Sequence, residues 1–274
     1  MRSAAHVADT LQPGSGRSPF VGLLRAELGR AFGPRHAVTL AGVMFMGCVL
    51  AFWLPTFPAS IYRFFQRVFD LPGWAEIVVA NDLAGLFFFV YWIAVFDVLT
   101  IYIVPLEERH LDVFLSKPLT RRAYLLARLV PILLTVVSIY ALCAIACWLA
   151  LWMAGLTYAP SAFTGAAAAV LAWTLLLVSI VNFLILSVRE TYLALLIAFI
   201  PITVSILPGM IYMYRPDVFA EAPLVRSIVV FPMTLVWYPE FATRWGLPLA
   251  GLFLSVALAF IAASGWRIER RDVM

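Results

Sequence analysis

Few side chains in this sequence could do chemistry, and most of them stand inside apolar runs. Cys143 and Cys147 are one helical turn apart, a spacing that could set two thiols on a soft metal such as copper. The same spacing suits small apolar packing residues, as does the third cysteine, Cys48. Three cysteines at these positions imply no disulfide framework. Asp82 and Asp97 interrupt one apolar run, and Asn182 interrupts another. An Asp at mid-membrane costs about 2.5–3.5 kcal/mol on insertion scales, so it turns toward protein or water. Asp82 follows Asn81 near one end of its run and can reach the interface. Asp97 is deeper and has no cation in reach on its own helix. It suits either a polar point on a translocation route or dimer seam, or a hydrogen bond to a hydroxyl on a neighbouring helix. Asn182 suits a bond between helices.

The elements that must carry these groups follow from composition. Of 274 residues, 64% are hydrophobic and 12% charged, and the mean hydropathy is +0.98. Soluble domains are near half apolar and a quarter charged, so soluble globular and disordered classes are excluded. Long unbroken apolar runs, without strand alternation, exclude a membrane β-barrel. The expected fold is all-α, a polytopic bundle of six membrane-spanning helices within residues 37–266. The runs are Ala37 to Tyr62, ending near Pro55 and Pro58, then Ile77 to Val104. Leu129 to Val188 holds two spans with a turn between Gly155 and Gly165, around Pro160. The last runs are Thr191 to Tyr214 and Trp245 to Trp266.

Charge placement sets orientation. With the N-terminus in the cytoplasm, fourteen of the nineteen Arg and Lys residues fall on the inner side and five on the outer. The positive-inside bias puts both ends in the cytoplasm, with residues 267–274 as an inner tail. Arginine in place of lysine hints at a bacterial chromosome and so at an inner (plasma) membrane. The net charge of +4 is explained by topology rather than by nucleic acid. Residues 1–17 read as a disordered tail without a signal-peptide core.

Residues 18–33 read as an amphipathic interfacial helix. Ser18-Pro19 starts it, Phe20, Leu24, Leu28, Ala31 and Phe32 form its apolar stripe toward lipid, and Gly33-Pro34 breaks it. Glu27 falls near the apolar face. The outer segment 215–244 contains an uncharged stretch, 227–239, too short to span, which suits a re-entrant or interfacial hairpin. Trp237, Tyr238, Phe241 and Trp245 make an aromatic belt beside it.

Between the second and third runs, residues 106–122 form a cytoplasmic elbow. A short helix carrying Leu111, Phe114 and Leu115 is stopped by Pro118, and Thr120 caps the helix that begins at Arg121. Its apolar tip lies between the acidic shoulder Glu107-Glu108 and basic residues. That surface suits docking to another protein; it also suits an ordinary inner loop.

The N-terminal amphipathic helix, six spans and the Glu…Leu-Ser-x-Pro-Leu-Thr-Arg elbow resemble the permease subunits of ABC-2-type transporters. The resemblance covers residues 18–266, and its specific motif is confined to about 107–121: Glu107, Leu115, Pro118 and Arg121 match, while Arg109-His110 stands where many relatives have Gly-Thr. It implies that the elbow is a coupling helix seated in a groove of an ATPase subunit, with Glu107, Glu108, Leu111, Phe114, Leu115, Pro118 and Arg121 as coupling residues. It also implies an exporter built from two permease chains, identical or paralogous, with two ATPase subunits. No G-x-x-x-x-G-K-[ST] occurs, so ATP would be hydrolysed by a separate polypeptide, and no cofactor is expected in this chain.

Two rival classes stay open. A membrane-embedded enzyme such as a protease would need paired Glu/His, Ser/His or Asp/Asp groups, and there is no H-E-x-x-H and no G-x-S-x-G. The histidines are His6, His36 and His110, outside the apolar runs, and Glu107-Glu108 has none to complete a metal site. A secondary transporter would show paired broken helices. Pro201 and Pro208 could kink the fifth run, without a counterpart in another half.

Overall fold

The computed structural model describes residues 19–69, 73–107, 120–188, 190–214 and 238–270. Among them the regular structure is entirely helical: α1 (Pro19–Ala31), α2 (Pro34–Trp53) with a 3-10 turn Leu54–Thr56, α3 (Ala59–Phe69), α4 (Trp74–Glu107), α5 (Arg121–Met153), α6 (Pro160–Ile185), α7 (Thr191–Tyr214) and α8 (Pro239–Arg270). Five of these, α2, α4, α5, α6 and α8, are long and apolar enough to cross a membrane. In α7 the apolar stretch Thr191–Leu207 is shorter, but the whole helix has 24 residues, about 36 Å at 1.5 Å per residue. The chain is thus an all-α polytopic bundle.

Local chemistry sets the breaks. Gly33-Pro34 separates α1 from α2. The Thr120 hydroxyl caps α5 by accepting from the Ala123 amide at 3.2 Å. At the end of α5, Gly155 takes φ +70°, a region glycine enters without steric cost. The Leu156 amide donates to the Leu151 carbonyl at 2.9 Å and the Gly155 amide to the Trp152 carbonyl at 3.1 Å, so the helix closes in a Schellman turn. Pro160 then opens α6 at a position where its missing N–H costs nothing. The turn is therefore 154–159, and Gly165, expected at its far edge, lies inside α6.

Cross-helix contacts give the directions. His36 meets Ser138 at 3.2 Å, and Cys48 lies by Cys143 and Cys147, so α2 and α5 run parallel. Asp82 of α4 faces Gly47 and Cys147, whereas Asp97 shares a cavity with His36 and Arg128. Helix α4 is therefore antiparallel to both. Tyr140 with Thr174 (3.2 Å) and Trp148 with Phe163 (5.1 Å) make α6 antiparallel to α5. Gly165 with Gly246, then Asn182 with Ser264, make α6 and α8 parallel neighbours. Of the five long apolar helices, α2 and α5 thus run one way and α4, α6 and α8 the other. The face of the bundle bearing α1 is called the near face below, and its opposite the far face.

Three sequence expectations are revised. Helix α3 was not anticipated, although Tyr62 and Gln66 on one side and Arg63 and Arg67 on the other mark it as amphipathic. Helix α8 begins at Pro239 and ends at Arg270, taking in Phe241 and Trp245. On α1 the buried residues are Leu23 and Glu27, packed on Tyr124 and Ala127 of α5, while Phe32 of the expected stripe is exposed. Phe20 and Leu24 of that stripe pack against the same cluster, so part of the stripe meets protein. The tail 1–17 and most of the 227–239 hairpin lie outside the described residues.

Candidate functional site

Two polar clusters sit inside the apolar bundle. At the near face, Glu27 reaches from α1 between two guanidiniums, Arg128 at 3.5 Å and Arg30 at 3.4 Å. The Glu27 and Arg128 side chains are 9% and 8% exposed. Two charges so buried are retained only when paired, because each alone would carry a desolvation cost of several kcal/mol. The Arg128 guanidinium also lies 5.1 Å from the Tyr124 ring centroid, a cation–π distance. Glu27 thus pins α1 to the start of α5.

Behind this pair a cavity of about 340 Å³ opens between α1, α2, α4 and α5. Arg30, Arg35, Arg128, Glu27 and Asp97 line it, with His36, Thr39, Thr100 and Thr135. Asp97, which has no cation on its own helix, acquires one from α1: Arg30 acts on it electrostatically. His36, placed by sequence before the first span, is in the first turn of α2. The Ser138 hydroxyl donates to the Thr135 carbonyl at 2.9 Å, so His36 Nε2–H is the donor to Ser138 Oγ at 3.2 Å.

Toward the far face, Asp82 is buried on α4, with Cys143 and Cys147 of α5 near it and Cys48 of α2 beside those two thiols. The Cys147 thiol is the weak donor beside it, yet neither carboxylate oxygen meets a partner at ordinary hydrogen-bond geometry. Asp82 is therefore enclosed by neighbouring helices. Among the described residues no three His, Cys, Asp or Glu side chains are placed to hold a metal ion. In the turn beyond, Tyr158 stacks edge-on to Phe163 at 6.5 Å. Burial and the nearby Glu76 push its phenol above the ordinary range, and its hydroxyl has no partner.

Asn182 lies apart from both clusters, in the seam between α6 and α8, where its Nδ2 donates to Ser264 Oγ at 3.1 Å. Of the elbow residues, Glu107 ends α4 and Arg121 begins α5, donating to the Glu269 carbonyl at 3.4 Å. Glu108, Leu111, Phe114, Leu115 and Pro118 lie outside the described residues. The elbow's exit is held on two sides: Arg122 pairs with Glu269 of α8 at 2.6 Å, and two turns on Arg128 holds α1. Sequence reading missed Glu27, Arg30, Arg35, His36 and Arg128 as a group. The available signal was an acid on the apolar side of an otherwise basic amphipathic helix.

Neither a protein-family model nor a characterised protein matches the sequence.

Proposed function

We propose that the chain is the membrane-spanning permease subunit of an ATP-binding-cassette exporter of the ABC-2 type, pairing with a second copy or paralogue and driven by a separate ATPase subunit. One observation carries most of the weight. The first two turns of α5, directly after the 107–121 elbow, are joined to α8 through Arg122–Glu269 and to α1 through Arg128–Glu27. A displacement of the elbow is then carried into α1, α5 and α8 together, which suits a coupling element better than a passive loop. The polar cavity beside Asp97 supports a transport role, since charged side chains inside a bundle mark solute or ion routes. The extramembrane parts are too small to capture a large cargo, so the cargo is an amphipathic or lipid-like compound.

The test is purification from native membranes. The chain should bring down an ATPase subunit, turn over no ATP alone, and support transport-linked turnover in the complex. ATP hydrolysis by the isolated chain, or a complex lacking any ATPase, would remove the proposal.

The setting is a bacterial inner membrane with the near face cytoplasmic, which rests on the fourteen-to-five distribution of Arg and Lys. Cysteines introduced at Ser116 and at Glu240, which is exposed at the start of α8, should label from opposite sides. Labelling from one side would overturn the topology.

A further inference from the structure

The near-face cavity has an uneven charge inventory. Three guanidiniums, Arg30, Arg35 and Arg128, face two carboxylates, Glu27 and Asp97. Glu27 is engaged by Arg30 and Arg128, and Asp97 is offset by Arg30. Arg35 makes no ion pair among the described residues and is exposed at the rim, in the first turn of α2. One positive charge is therefore left over in a partly enclosed space whose walls are otherwise membrane-spanning helices. A surplus guanidinium at the edge of a partly enclosed space can hold an anion through charge-assisted hydrogen bonds.

The shape narrows the choice. At about 340 Å³ the cavity is roughly ten times the ~30 Å³ that one water occupies in the liquid. A monatomic anion would leave most of it unfilled. Guanidiniums grip tetrahedral oxyanions through paired N–H donors. The hydroxyls of Thr100 and Thr135 are spent on backbone carbonyls, so the arginines are the principal donors.

We propose that this cavity is a binding site for a phosphate group, gripped by Arg35 and Arg30 with Arg128 behind them. The phosphate belongs to an anionic lipid headgroup or to a free phosphate compound. The position favours the lipid, since the site is walled by membrane-spanning helices and its exposed arginines, Arg30 and Arg35, flank the Gly33-Pro34 break where the first of these helices begins. The site does not depend on the permease assignment, because it uses only the geometry of α1, α2, α4 and α5.

Native mass spectrometry of the purified full chain tests it, with dioleoyl phosphatidylglycerol or dioleoyl phosphatidylcholine added to the detergent. The parent should retain one more phosphatidylglycerol than Arg35→Glu, with about tenfold weaker retention in the variant, as expected for loss of one charge-assisted hydrogen bond. Phosphatidylcholine retention should be equal in both. Because Arg35 is exposed, the variant should fold; Arg30→Gln, also at an exposed position, provides an independent second variant. In a separate arm, inorganic phosphate is titrated against the thermal unfolding of lipid-depleted protein. A stabilisation seen in the parent and lost in both variants would support the site with a free phosphate compound as its occupant. If the variants retain phosphatidylglycerol like the parent and show the same phosphate response, or if no response exists in either arm, the proposal is overturned.

Discussion

Gly165 and Gly246 meet backbone to backbone where α6 and α8 run side by side. A Cβ on Gly246 would lie 2.5 Å from the Cα of Gly165, and one on Gly165 would strike the carbonyl of Ala242. Small residues let two membrane helices approach this closely, and van der Waals contact then supplies the attraction that lipid cannot. Seventeen residues further along α6, Asn182 closes the same seam on Ser264, and Trp173 packs on Phe253 at 5.0 Å between them.

Gly165→Ala and Gly246→Ala should therefore each lower stability by about 1–3 kcal/mol, the usual cost of overpacking a tight contact. Gly251→Ala is the control. It lies on the same helix, nothing stands within 4 Å of its added carbon, and helix propensity favours alanine by up to about 1 kcal/mol. Thermal unfolding in detergent should rank Gly251→Ala at or above the parent and the other two below it. Equal melting for all three would mean that α6 and α8 do not touch here.

Glu27 and Arg128 should behave as a unit. Glu27→Gln leaves the Arg128 guanidinium buried without this carboxylate, which costs about 3–5 kcal/mol for a buried pair. The double variant Glu27→Leu with Arg128→Met removes both charges and keeps the volume, so it should recover most of that loss. A double-mutant cycle read by thermal unfolding checks the sign. Limited proteolysis should release α1 in the single variant and spare it in the double. Additive losses would show that the pair is a surface contact.

The span pattern was legible because it rests on local chemistry. Charge-free runs between Arg-bearing segments placed α2, α4, α5, α6 and α7 within a few residues, and Thr120 and Pro160 announced their helix starts. The Schellman turn at Gly155 needed only one glycine. What was not legible is relational. Asp97 looked isolated because its cation, Arg30, is contributed by another helix. Gly165 read as part of a turn because glycine serves both a turn and a close helix crossing, and only the neighbouring α8 separates the two. Glu27 was noticed as a flaw in the amphipathic stripe of α1; its partner, Arg128, stands a hundred residues away and carries no local sign of the pairing. The grouping of Asp82 with Cys143 and Cys147, and of Cys48 with those two, likewise needs three helices at once.

Asp82 offers a way to separate stability from function. Its carboxylate is buried and neither oxygen meets a partner at good geometry, so folding gains little from it. Asp82→Asn keeps the shape and removes the charge. Thermal stability should be unchanged or higher, because a buried ionisable group whose desolvation no cation offsets becomes a neutral amide. A residue kept for stability would instead lower it. If stability holds while transport-linked ATP turnover falls, Asp82 belongs to the working route. Tyr158→Phe, which deletes an unpartnered hydroxyl in the adjoining turn, should be close to neutral in both measurements.

The elbow carries the strongest functional prediction. In the proposed transporter, work done by a separate ATPase would enter the membrane helices through a contact at the near face. Among the connections between helices on that side, 186–190 is short. The segment between Glu107 and Arg121 remains. It leads into the one helix start that is tied both to α1 and to α8, through Arg128 and Arg122. Buried aromatic and aliphatic side chains at an interface centre carry most of its binding energy, so Phe114 and Leu115 should be the anchors, with Glu107 and Arg121 orienting them through charged hydrogen bonds. Replacing Phe114 and Leu115 together with alanine should weaken association with the ATPase by about 2–4 kcal/mol. Membrane insertion and the melting of the isolated chain should not change, because no residue of α4 or α5 is altered. Co-purification and transport-linked ATP turnover are the readouts. A double variant that assembles and couples like the parent would reduce the elbow to a topological loop, and the ties at Arg122 and Arg128 would then serve stability alone.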